Sequence, residues 1–100
     1  MVLIREIFFC KPGQVRPMVE KFKAMNALTG KMGMGKSRIM TDLSAERYWT
    51  VVSEWEVKSL AEFEEMMKGT AMQAKEFEDV MKDYHNFVES GRREIYTIEA

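Results

Sequence analysis

One hundred residues, 46% apolar and 31% charged, make room for a single small domain spanning 1–100 with one core. Fifteen basic and 16 acidic residues leave a net charge of −1, without the positive field that nucleic-acid and anionic-membrane binders carry, so neither partner is expected. One cysteine and one histidine exclude an internal disulfide and a His- or Cys-rich metal site, and the lone thiol suits a reducing, cytoplasmic compartment.

Residues 2–10, Val-Leu-Ile-Arg-Glu-Ile-Phe-Phe-Cys, are β-branched and aromatic and stop at Lys11-Pro12-Gly13, which reads as a strand and a turn. The opening Met1-Val2-Leu3-Ile4 meets charge at Arg5 and reads as neither signal peptide nor membrane span. From Val15 the apolar period becomes helical, with Val15, Met18, Val19, Phe22, Met25 and Leu28 on one stripe. Pro17 fits the first turn of that helix, and Gly30 stands where a helix-ending glycine is expected. Residues 34–41 and 46–57 read as strands joined by Asp42-Leu43-Ser44-Ala45. Ser59-Leu60-Ala61-Glu62 is a capping box opening a short helix whose buried face carries Leu60, Phe63 and Met67. After Gly69, a second box at Thr70-Ala71-Met72-Gln73 opens a longer helix with Phe77, Val80, Met81, Tyr84, Phe87 and Val88 on its stripe. Gly91 ends it, and Arg92 to Ile98 reads as the last strand.

The order β-α-β-β-α-α-β is that of an α+β, ferredoxin-like domain with a four-stranded antiparallel sheet and its helices on one face. Such a sheet wets its other face, so its strands should alternate apolar and polar. The first strand instead sets Leu3, Ile7 and Phe9 against Val2, Ile4, Phe8 and Cys10, and the third sets Tyr48, Thr50 and Val52 against Trp49, Val51 and Trp55. Exposing Ile4 and Phe8, or Trp49 and Val51, would leave a large apolar patch. A second copy of the chain, packed sheet against sheet about a two-fold axis, is the simplest cover.

The stretch Val51-Val52-Ser53-Glu54-Trp55-Glu56-Val57-Lys58-Ser59-Leu60-Ala61-Glu62-Phe63 resembles the strand-to-helix passage of antibiotic-biosynthesis-monooxygenase-like domains. In those domains an acidic residue and a Trp at the strand end precede a polar stretch and a short helix. The opening strand with Lys11-Pro12-Gly13-Gln14 resembles the same family and NIPSNAP-type domains, both of the dimeric α/β-barrel superfamily. The resemblance implies a homodimer with sheets packed face to face and a ligand pocket in each subunit between sheet and helices. The chemistry of the family does not carry over residue by residue. Haem-degrading members use an Asn on the first strand, absent here, and a His on the helix after the Trp, where this chain has Met66 and Met67. Cofactor-free oxygenases commonly place an Asn four residues before the Trp, and that position is Val51. Trp55 alone is shared.

Gly30-Lys31-Met32-Gly33-Met34-Gly35-Lys36-Ser37 matches the phosphate-loop pattern letter for letter. That chemistry needs a strand before the loop and a helix after it. Here a helix precedes and a strand follows, so the segment reads as a glycine-rich turn, and no cofactor or metal is expected. Cys10 beside Lys11 reads as packing, although a neighbouring ammonium would favour thiolate. Arg5, Glu6, Glu54 and Glu94 are single charges in apolar strands, which either pair across strands or face a wet cavity. Ten methionines, several on the helix stripes, suit core filling or a soft pocket wall for a bulky apolar ligand.

Two functions follow. One is a cofactor-independent monooxygenase or isomerase of a small aromatic compound, with Trp55 as platform and His85, Tyr84 or Tyr48 moving a proton. Arg5, Glu54, Met66 and Met67 would then line the ligand. The other is a non-catalytic ligand-binding or assembly module on the same fold. A titratable group within hydrogen-bond reach of an apolar cavity beside Trp55 separates the two.

Overall fold

The sheet is built around β1 (Val2–Cys10), which has a partner strand along both edges in the computed structural model of the chain. The structure describes residues 1–33, 35–68 and 75–100. After β1 come α1 (Val15–Lys31), β2 (Arg38–Thr41), β3 (Thr50–Val57), α2 (Leu60–Lys68), α3 (Lys75–Met81), a 3-10 turn at Tyr84–Asn86 and β4 (Val88–Thr97). The strands lie in the order β2-β3-β1-β4, and every neighbouring pair is antiparallel. This is the α+β, ferredoxin-like arrangement expected from the sequence.

Side chains alternate across the sheet, so parity assigns the faces. Ile4, Phe8 and Cys10 of β1 turn toward the helices together with Val51, Trp55 and Val57 of β3. They form two clusters. Cys10, Met18, Val19, Phe22 and Val51 pack under α1, and Ile4, Val57 and Phe63 pack under α2. Ile4, Phe8 and Val51, whose exposure in the sequence argument required a second subunit, are therefore covered by the chain's own helices, whereas Trp49 stays exposed. Phe8 meets Phe22 at 5.3 Å between ring centres, and Ile4 and Val51 are fully buried. On the helix-free face Ile7 and Phe9 are buried as well. There the guanidinium groups of Arg47 and Arg92 lie 4.3 Å and 5.7 Å from the centre of the Phe9 ring, cations shielding apolar surface.

Several element ends differ from the sequence reading. Trp49 and Tyr48 are not part of the third strand, because the Thr50 N–H donates to Asp42 Oδ1 at 2.9 Å and Trp49 takes a left-handed φ of 63°. Both side chains are exposed. The first helix runs through Gly30, and the left-handed glycine that follows it is Gly33, with φ 72°. The box at Ser59 forms, Ser59 Oγ accepting the Glu62 N–H at 3.2 Å. The Glu62 carboxylate accepts the Lys58 N–H at 2.9 Å, one residue earlier than the usual pattern. On α2 only Phe63 is buried, whereas Leu60 and Met67 are exposed. Gly69 and the second box at 70–73 lie outside the described residues.

The largest difference lies before β4. The helix expected through Val88 ends at Met81, and Asp83 turns the chain at a left-handed φ of 67°. Lys21 of α1 pins that end by donating to the Val80 carbonyl at 2.9 Å and to the Lys82 carbonyl. Tyr84, Phe87 and Val88 still pack on the α1 cluster, from the 3-10 turn and the strand start rather than from a helix. Gly91 consequently lies inside β4, opposite Phe8, and ends no helix.

Candidate functional site

The two clusters do not merge. The gap between them is a cavity of about 320 Å³, a size that suits a small organic molecule. Phe8 and Phe22 enter its lining from one cluster, Trp55 and Met66 from the other, and Met25 and Met67 add thioether surface. Trp55 is half-buried, its ring tilted 49° to Phe63 at 6.1 Å between centres. Its Nε1 is buried and has no hydrogen-bond partner among the described residues, a cost that a plain core indole avoids.

Polar groups reach the cavity from the sheet and from the turn before β2. Glu6, Ser53 and Arg93 come from β1, β3 and β4. Arg93 Nε donates to Glu6 Oε1, and the Arg93 guanidinium lies 5.0 Å from the centre of the Phe63 ring. Gly35, Lys36 and Ser37 form part of the rim. Asn26 of α1 holds that turn, donating from Nδ2 to the Ser37 carbonyl at 3.0 Å and accepting the Ser37 N–H at 2.9 Å. The phosphate-loop pattern is thus a clamped turn between a helix and a strand, with Met34 outside the described residues.

Of the residues singled out in the sequence, Trp55, Met66 and Met67 meet at this cavity. Arg5 and Glu54 do not, because their parity puts them on the helix-free face, where they pair at 2.9 Å. His85 is exposed and stacks on Tyr84 at 4.0 Å between ring centres, and Tyr84 lies edge-on to Phe8 at 6.2 Å. Neither lines the cavity. The Lys11 N–H donates to the Phe87 carbonyl at 2.8 Å, which ties this segment to the far end of β1. Tyr48 is 83% exposed and borders a separate shallow hollow with Val15, Asp42 and Trp49. Glu6, Ser53, Arg93 and Asn26 also line the cavity, although no sequence motif marks them as site residues. The one signal for Glu6 is a lone charge in an apolar strand.

Cys10 is buried, and burial followed by the negative charge of Asp42 pushes its thiol up. That is the opposite of the activation a nearby lysine would bring. Among the described residues no three His, Cys, Asp or Glu side chains group as a metal ligand set, and no helix is long and apolar enough to cross a membrane.

No protein-family model matches the chain, and no curated protein matches it in sequence. Solved structures do match its fold. An uncharacterised NIPSNAP domain protein from Burkholderia xenovorans superimposes with a TM-score of 0.80 at 10% identity, covering 100% of this chain and 96% of that one. A NIPSNAP family protein of unknown function from Agrobacterium tumefaciens gives 0.79 at 13% identity, covering 96% and 86%. A dimeric protein of unknown function and ferredoxin-like fold from Bacteroides fragilis gives 0.65 at 16% identity, covering 97% and 95%. The chain therefore has the ferredoxin-like fold seen in NIPSNAP-type domains.

Proposed function

We propose that this protein binds a small apolar or aromatic molecule in the cavity beside Trp55, and that it does so as a homodimer. One observation carries the binding reading: six apolar side chains, Phe8, Phe22, Met25, Trp55, Met66 and Met67, all border the same open volume. A close-packed core leaves no such space. The test is titration with planar aromatic compounds, followed by Trp55 fluorescence in a Trp49→Phe background. Saturable quenching supports the reading, and no response across a broad panel ends it.

Binding without catalysis is favoured over the oxygenase or isomerase reading because His85, Tyr84 and Tyr48 all stand away from the lining. A single observation speaks for chemistry: Glu6, a titratable carboxylate, lines the same cavity. In a catalytic reading Glu6 takes the proton-transfer role that the sequence assigned to those three residues.

The homodimer would pair helix-free faces. That face carries Met40 and Tyr96, both partly exposed, within an Arg–Glu lattice of Arg5, Arg38, Arg92, Glu54 and Glu94. Mixed charge of both signs suits a self-complementary contact. The dimeric Bacteroides fragilis protein of the same fold adds support. Light scattering is expected to return twice the mass of the 100-residue chain. A monomer mass at micromolar concentration with normal thermal stability overturns the dimer. The single buried thiol fits a reducing compartment, and we place the protein in the cytoplasm.

A further inference from the structure

The sheet side of the cavity carries one cross-strand row of polar groups. Ser53 on β3 and Arg93 on β4 are both register partners of Glu6 on β1, and all three line the cavity. Ser53 is 4% exposed, and its hydroxyl is a further donor in this row. Arg93 is held from two sides, by Glu6 through Nε and by the Phe63 ring. Glu6 is its one ion-pair partner among the described residues. A guanidinium carries five N–H donors, so a single carboxylate leaves donors over. The row thus offers surplus donors where the apolar space meets solvent.

We propose that this row receives the oxygen of a neutral carbonyl group, and that the ligand is a flat apolar carbonyl compound such as an aryl ketone. This deepens the cavity reading above and rests on it. The neutrality of the head group follows from charge. Glu6 already balances Arg93, so a ligand carboxylate meets Glu6 as well as Arg93, and a ligand cation meets Arg93. Lys36 and Glu56, the remaining charged residues of the lining, are exposed and opposite in sign. A carbonyl oxygen accepts from Arg93 and Ser53 without bringing in an unpaired charge. The aromatic body then lies among Phe8, Trp55 and the methionines, whose soft surfaces suit a planar ring.

The test is calorimetric titration with three molecules of similar shape: acetonaphthone, naphthoate and ethylnaphthalene. The ketone is expected to bind about tenfold tighter than the hydrocarbon, and tighter than the carboxylate. Ser53→Ala and Arg93→Lys should each reduce the ketone's advantage several-fold and leave the hydrocarbon's affinity unchanged. Arg93→Lys keeps a positive charge beside Glu6 while removing the planar donor array, so the pair is not left unbalanced. Equal affinity of ketone and hydrocarbon overturns the carbonyl row and leaves the cavity reading intact. Tighter binding of naphthoate overturns the neutral head group, and a ketone preference that survives both substitutions overturns the assignment to these residues. No binding of any of the three overturns the row and the cavity reading together.

Discussion

Arg5 and Glu54 stand directly opposite each other on β1 and β3, Arg5 Nε donating to Glu54 Oε2 at 2.9 Å on the face that carries no helices. Arg38, also a register partner of Glu54, donates to the other carboxylate oxygen. A carboxylate only 3% exposed thus has a guanidinium on each oxygen. Burial pushes the Glu54 carboxyl up, but hydrogen bonds from Arg38 and Arg5, with the charges behind them, outweigh it and hold the group below the ordinary carboxylate range.

A folded-state value below the unfolded one adds stability that is present above the unfolded carboxylate value, about 4.3, and is lost as pH falls through the folded value. Glu54→Gln is therefore expected to be about 2 kcal/mol less stable than wild type at neutral pH, with the difference shrinking in acid. Urea denaturation across the acid range checks this. A gap that stays constant as both proteins are acidified counts against it.

Gly91→Ala is expected to cost about 1–3 kcal/mol, although alanine is the milder residue in most strands. A Cβ on Gly91 would stand 2.7 Å from the Ile7 carbonyl oxygen, a backbone atom held in the ladder between β1 and β4. Thermal unfolding measures the loss, and an unchanged melting temperature would show that the two strands separate freely there.

Lys21→Met keeps the aliphatic stem and removes the ammonium that caps Val80 and Lys82. Two carbonyls at the end of α3 lose their charged donor, at an expected cost of about 1–2 kcal/mol. Amide exchange should speed up first in α3 and the turn at Asp83. Uniform acceleration along the chain would argue against a local cap.

Trp55→Ala should cost about 1–2 kcal/mol, below the 3–5 typical of a fully packed Trp. Phe63 packs against the ring, but the ring also borders open volume, so fewer contacts vanish. A loss in the full core range would mean that the space closes around the indole.

Millimolar Mg-ATP should leave the melting temperature unchanged in both wild type and Lys36→Ala. The residues around Lys36 follow a helix and lead into β2, and Asn26 occupies the Ser37 N–H that a phosphate would need. A shift seen in wild type and lost in the variant would restore the phosphate-loop reading.

Strands and helices were legible wherever local chemistry had one reading. β1 has β-branched and aromatic composition and a Pro-Gly stop, α1 has an unbroken stripe from Val15, and Ser59 accepts the Glu62 N–H as the cap of the helix that follows. Together these determined the element order and hence the fold class. Trp55, Met66 and Met67 were legible for the same reason, since a strand end and the next helix must come close. Phe87 and Val88 were not, because apolar residues spaced along a helix and those entering a strand look alike until Asp83 turns the chain. The polar row at the cavity was beyond local reading altogether. Pleat alternation says that Glu6 and Phe8 share a face, but not that α1 and α2 cover that face. Ser53 and Arg93 come beside Glu6 only through the backbone ladders of β3 and β4. Their register is decided by which apolar set the helices bury, an energy that belongs to the assembled sheet and to no segment of the chain taken alone.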